Sequence, residues 1–218
     1  MKKDIYEIIA LELLEKVCKI ENLQPSESPD WKNEQTGVEV TTTIQNQDFL
    51  GYVLKNLPKT IEKIKKNDNK EKTIQKFNKG YEKRGGLIIH EEQNVLGLTG
   101  GFPLLKELVQ GRYIYLLPVY EDNSVQDINE ALRKKIEKLN KVHNGKYLYD
   151  ENIEDYRLFI FSEVMLEKSA IDKEICLIKE IQESYKRRYN IIYLYLIRTN
   201  TLITFDLNTD TVRIKENI

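Results

Sequence analysis

The chain is poor in cysteine and histidine, has no long apolar run and carries almost no net charge. Each shortage argues against a class of function. Two cysteines, Cys18 and Cys176, in 218 residues do not make a disulfide framework. They fit a reducing compartment, and the cytoplasm is the expected location. The two histidines, His90 and His143, lie far apart and lack partner cysteines, which argues against zinc. His90 reads as a strand-end residue rather than a base. No stretch reaches the roughly 18 apolar residues of a transmembrane helix, so no membrane partner is expected. The opening MKKDIYEIIALELLEKV is broken by Asp4, Glu7, Glu12 and Glu15, and no small-residue cleavage site follows. It reads as a folded helix, not a signal peptide. Gly100-Gly101 lacks the lysine and spacing of a phosphate loop. A formal charge of −1 gives no global basicity for nucleic acid, and no internal repeat or low-complexity tract is visible.

At 40% hydrophobic and 32% charged residues, the chain can bury a core and stay in solution. Its length suits one domain, 1–218, with an insertion at 45–126. The expected class is α/β with a mixed sheet. Asp4–Ile20 has helical spacing, with Ile5, Ile8, Ile9, Leu13, Val17 and Ile20 on one broad face. Trp31–Thr43 reads as a hairpin. Gln47–Lys66 and Glu71–Arg84 read as helices, the first kinked or broken at Pro58, the second ended by Gly85-Gly86. A short strand LIIHEE follows, then a short helix and a strand within Val95–Asn123. Asp127–Val142 is helical, with Ser124 or Asp127 as N-cap, and Ile171–Tyr189 is another helix. RLFIFSE reads as a central strand, and IIYLYLIR, TLITFDL and TVRIKE as three more.

Charge is uneven along the chain. Between Lys55 and Arg84, eleven Lys or Arg face four acids, a local surplus of seven. A basic segment near a carboxylate site is what a phosphate-backbone binder needs, although a solvated lysine-rich face has the same composition.

The stretch SPDWKNEQTGVEVTTT carries the chemistry. With the turn at Glu34-Gln35, Asn33 faces Thr36 and Asp30 falls opposite Glu39, their Cβ atoms about 5 Å apart. Alternation places Glu39, Thr41 and Thr43 on one face and Val38, Val40 and Thr42 on the other. Two opposed carboxylates need a proton, a bridging Lys or Arg, or a divalent cation. In the plainer arrangement Asp30 caps a turn after Pro29 and Glu39 faces solvent on an edge strand. Lys135 falls near the middle of the apolar face formed by Ile128, Ala131, Leu132, Leu139 and Val142, where it must reach water or meet a carboxylate. Glu12 and Lys16 sit within or beside the first helix's apolar face.

Ser28-Pro29-Asp30 followed by Gly37-Val38-Glu39-Val40-Thr41 resembles a divergent branch of the restriction-endonuclease-like nucleases, the PD-(D/E)XK superfamily. The resemblance implies a core of helix, three strands, helix and strand, with a helical insertion and extra C-terminal strands outside it. It implies Mg²⁺ or Mn²⁺ held by Asp30, Glu39 and the Val40 carbonyl. Glu12 matches the acid that some members carry on the first helix. Thr41 stands at the motif's lysine position and cannot supply its charge. Some members move that lysine to the second core helix, where Lys135 is placed, with Lys138 in reserve. The implied activity is phosphodiester hydrolysis of nucleic acid, DNA first. The alternative is a catalytically inactive member that binds nucleic acid or a protein partner. A homodimer would also be compatible with this reading.

Overall fold

The computed structural model describes residues 3–44, 46–66, 69–90, 113–116, 125–149, 152–164, 166 and 168–218. In chain order its elements are α1 (Ile5–Lys16), β1 (Gln24–Pro25), β2 (Trp31–Lys32), β3 (Thr36–Thr42), α2 (Gln47–Lys65), α3 (Lys70–Glu82), β4 (Leu87–His90), β5 (Tyr113–Leu116), α4 (Val125–Asn140), β6 (Val142–His143), β7 (Lys146–Tyr147), β8 (Asp155–Ser162), α5 (Lys168–Glu183), β9 (Ile191–Leu196), β10 (Thr201–Asp206) and β11 (Thr211–Glu216). The chain divides into two compact units, Met1–Ile44 with Asp122–Ile218, and Gln45–Glu121.

The first unit is mixed α/β. Its seven strands run in the order β1-β2-β3-β8-β9-β10-β11. β3, β8 and β9 are parallel, and the flanking pairs are antiparallel. RLFIFSE lies in the sheet centre as expected, and Leu158, Phe159, Ile160 and Phe161 are fully buried. A strand covered on both faces reads as a continuous apolar run. α1 packs on one face of the sheet against β3, and its Tyr6 meets Phe161 of β8 edge-on at 5.5 Å. α4 packs on the other, joining Leu132, Ile136 and Leu139 to Leu158 and Ile160 in the main core.

Three expectations shift. α1 buries Tyr6, Ala10 and Leu14, not the isoleucine face, and Ile8 is exposed. Apolar residues occur on nearly every side of this helix, so spacing alone leaves its rotation open. α4 stops at Asn140, and Val142 lies in β6 and is exposed. The role expected of Val142 in the helix face is filled by Ile136, fully buried. α5 ends at Glu183, where the Gln182 side chain turns to accept the Tyr189 amide proton at 2.7 Å.

The second unit holds α2, α3 and the β4–β5 pair. α2 runs unbroken through Pro58. Asn56 donates to the Tyr52 carbonyl and Thr60 to the Asn56 carbonyl, each at 2.8 Å, adding side-chain bonds around the proline. α3 ends where Gly85 takes a φ of +93° and Gly86 N–H bonds the Tyr81 carbonyl. The short helix expected before Tyr113 and the Ser124 cap lie outside the described residues, and Asp127 lies inside α4. No helix among the described residues is long and apolar enough to cross a membrane.

Candidate active site

The β2–β3 hairpin has the register expected from the sequence. Trp31 pairs Val38, Lys32 pairs Gly37, and the Asn33 amide bonds the Thr36 carbonyl. The Asn33 side chain accepts from the Gln35 and Thr36 amides and closes the turn. Asp30, one residue before β2, therefore falls opposite Glu39. Its Oδ2 accepts the Val40 amide proton at 2.7 Å. Gly37 is required for this closure, since a Cβ there would come within 2.6 Å of Pro29 Cγ.

β3 is not an edge strand, because β2 and β8 flank it. Glu39 is accordingly 1% exposed. Its Oε1 accepts from Lys135 Nζ at 2.7 Å and from Lys138 Nζ at 2.8 Å. Both lysines come from α4, three residues apart and so on one helix face. Lys135 bonds inward while Tyr189 donates to its carbonyl at 3.1 Å. Burial pushes the Glu39 carboxyl upward, but Lys135 and then Lys138 outweigh it and hold the acid below its ordinary range. Glu39 Oε2 is buried and finds no hydrogen-bond partner among the described residues.

Asp30 behaves oppositely. Burial, then the neighbouring Glu39 charge, push its carboxyl up to about 6, against the Val40 amide and Lys135. Lys3 Nζ stands 3.8 Å from Asp30 Oδ1, the outer edge of an ion pair, and gives its 2.9 Å hydrogen bond to the Ser26 carbonyl instead. The two carboxylates thus differ: Glu39 is ionised and paired, while Asp30 is poised between its forms near pH 6.

Tyr149 closes the site. Its phenol is buried without a hydrogen-bond partner among the described residues, and Lys138 Nζ lies 5.4 Å from its ring centre. Burial first and the adjacent Glu39 charge second keep this phenol protonated far above its ordinary value. Its hydroxyl is therefore a buried donor beside a carboxylate that retains one orphan oxygen.

The structure brings Asp30, Glu39 and Lys135 together, with Lys138 as a second cation. Thr41 lies two residues beyond Glu39 on the same face of β3, half-buried. Val40 contributes its amide to Asp30. Glu12 does not reach the site; it is exposed and pairs with Lys16 on the outside of α1. Its place near Asp30 is taken by Glu7. Glu7 raises the Asp30 carboxyl through a hydrogen bond, pairs with Lys3 at 3.6 Å and gives its carbonyl to Trp31 Nε1. The sequence marks Glu7 as the third residue of a capping box with Asp4, which the structure forms. That structural signal hides its second role. Lys3 and Tyr149 had no signal at all.

No family model, curated protein or solved structure matches this chain. Among the described residues no cluster of three or more His, Cys, Asp or Glu is arranged to hold a metal ion. A pair of carboxylates suits Mg²⁺ or Mn²⁺ that keeps several waters or takes further oxygens from a phosphate. The orphan Glu39 Oε2 is the oxygen such a cation would use, so the residues fit.

Proposed function

We propose that this protein is a metal-dependent nuclease that hydrolyses phosphodiester bonds, with DNA as substrate, built on a restriction-endonuclease-like core. In this reading α1, the strands β1 to β3, α4 and β8 would be its helix, three strands, helix and strand. One observation carries the reading. A carboxylate pair on one hairpin receives a lysine from the following core helix, Lys135, although the strand's own lysine position is Thr41.

Asp30 and Glu39 would hold Mg²⁺ or Mn²⁺, which supplies Lewis-acid polarisation of a phosphoryl oxygen. Lys135 offsets the negative charge that develops on the transferring phosphoryl group, and its hydrogen bond to Glu39 fixes the ammonium before substrate arrives. Lys138 holds the same carboxylate oxygen from one turn along and is the more exposed of the two. The Tyr149 hydroxyl stays protonated and is available to donate to Glu39. The test is cleavage of plasmid DNA by wild type and by the Asp30→Asn, Glu39→Gln double variant. Cleavage by the wild type alone supports the reading, and equal cleavage by both refutes it.

A second reading rests on the doubly paired Glu39 Oε1. Two ammonium groups already neutralise this acid, as they would in a catalytically silent member that binds nucleic acid or a protein partner. That member would bind DNA equally well in EDTA and yield no product with any divalent cation.

A further inference from the structure

In the second unit, α2 and α3 face each other across a groove of about 600 Å³. Lys59 and Lys63 line it from α2, Lys72, Lys76 and Lys79 from α3, and Lys83 from the C-cap of α3, with no acidic residue among the lining. The last four recur at steps of four, three and four, so they form one stripe, about 16 Å long at the helical rise. Like charges at this spacing destabilise a helix. Two nearby acids are engaged elsewhere: Glu62 pairs with Lys66 and Asp48 with Arg84, while Glu71 and Glu82 stand exposed on α3 outside the lining. None of the six groove lysines makes an ion pair among the described residues.

The groove is held open by its floor. Tyr52 of α2 donates to the Phe77 carbonyl of α3 at 3.0 Å, and their rings stack at 5.7 Å. A Cβ on Gly80 would come within 2.1 Å of the Tyr52 hydroxyl oxygen, so only glycine lets the helices approach this closely. These contacts also commit the aromatic rings. Phe77 is buried, and the Arg84 guanidinium lies 4.4 Å from the Tyr52 ring centre. No ring is left as a platform for unstacked bases, which single-strand binders need. The Asn56 amide and Thr60 hydroxyl donate to helix carbonyls rather than into the groove. The groove therefore presents a line of cationic points, with Asn69 and Thr73 as the remaining polar side chains of its lining.

We propose that the α2–α3 groove binds the phosphate backbone of double-helical nucleic acid without reading its sequence. Lysine ammonium groups at these intervals suit phosphates as point contacts, which position a duplex and carry no sequence information. The concave, linear form suits a rod-like polyanion better than a flat anionic membrane. The binding is independent of the carboxylate pair, so it stands or falls apart from the nuclease reading.

The experiment uses the full chain carrying Asp30→Asn and Glu39→Gln, in EDTA, so that cleavage cannot interfere. Fluorescence anisotropy compares a duplex DNA, a single-stranded oligothymidylate of equal length and vesicles containing anionic lipid. The duplex is expected to bind most tightly, with log affinity falling steeply against log salt. Changing Lys72, Lys76, Lys79 and Lys83 to Gln should weaken duplex binding at least about 30-fold and flatten the salt slope by about 3 to 4. The same four positions as Arg should bind within a few-fold of the parent. A charge-matched pair separates the groove from overall charge: Lys59→Gln with Lys63→Gln should weaken binding, and Lys16→Gln with Lys134→Gln should not. Equal losses in that pair, loss in the Arg version, or tighter binding of single strands or vesicles would each overturn the proposal.

Discussion

Glu39 keeps a full charge at 1% exposure because two ammonium groups reach one of its oxygens. Removing the acid leaves both lysines facing a buried gap. Breaking a buried ion pair costs about 3–5 kcal/mol. Lys138 can turn toward water, so Glu39→Ala should cost about 2–3 kcal/mol, read from urea unfolding. Lys135→Met should lower kcat by about 10²-fold or more, with a smaller loss for Lys138→Met, because Lys135 is the deeper cation. Similar losses for both would assign the role to the pair. Asp30 gives a pH signature. Its folded carboxyl lies near 6, above its ordinary value of 3.8, so the folded state holds this proton more tightly. Its contribution to stability is therefore complete below about pH 4 and is lost as pH rises through 6. Glu174, pushed up to about 7 by burial, acts in the same direction. Divalent cations need the ionised Asp30, so Mn²⁺ affinity should fall below pH 6 in the wild type. Asp30→Asn should remove that pH dependence, as measured by titration at pH 5 and 7.5.

At the scale of elements, the hairpin and α4 make the site between them. Gly37 allows β3 to pass Pro29, so Gly37→Ala should displace Pro29 and with it the Asp30 carboxylate. Overpacking of this kind costs about 1–3 kcal/mol. The expected result is a lowered melting temperature together with weaker cation binding, whereas a loss of stability alone would detach Gly37 from the site. These elements also show what was legible in the sequence. The register of the hairpin followed from placing the turn at Glu34-Gln35, and the structure closes that turn with two hydrogen bonds to the Asn33 side chain. Lys135 could be read because a cation inside an apolar helical stripe needs a partner. Glu12 was misplaced because α1 is apolar on nearly every side, so its rotation is decided by Tyr6 packing on Phe161 and not by spacing. Glu7, Lys3 and Tyr149 reach the site through tertiary contacts that no local pattern encodes.

At the scale of the whole chain, two compact units carry two kinds of charge. The first unit buries Glu39 against two lysines, and the second lines a groove with six lysines and no acid. The insertion expected at 45–126 overlaps the second unit, Gln45–Glu121. The basic surplus there was visible in composition, but its division into two facing stripes depends on how α2 and α3 pack. The mixed α/β class followed from periodicity, while the strand order depends on pairings distant in sequence. The central claim concerns the carboxylate pair, and calorimetric titration of Mn²⁺ at pH 7.5 into wild type and Glu39→Gln, with a thermal melt of each, tests it most directly. The account predicts binding with a raised melting temperature in the wild type and neither effect in the variant. No binding to either protein, or equal binding to both, would contradict it and leave Lys135 and Lys138 as the whole answer to the charge of Glu39.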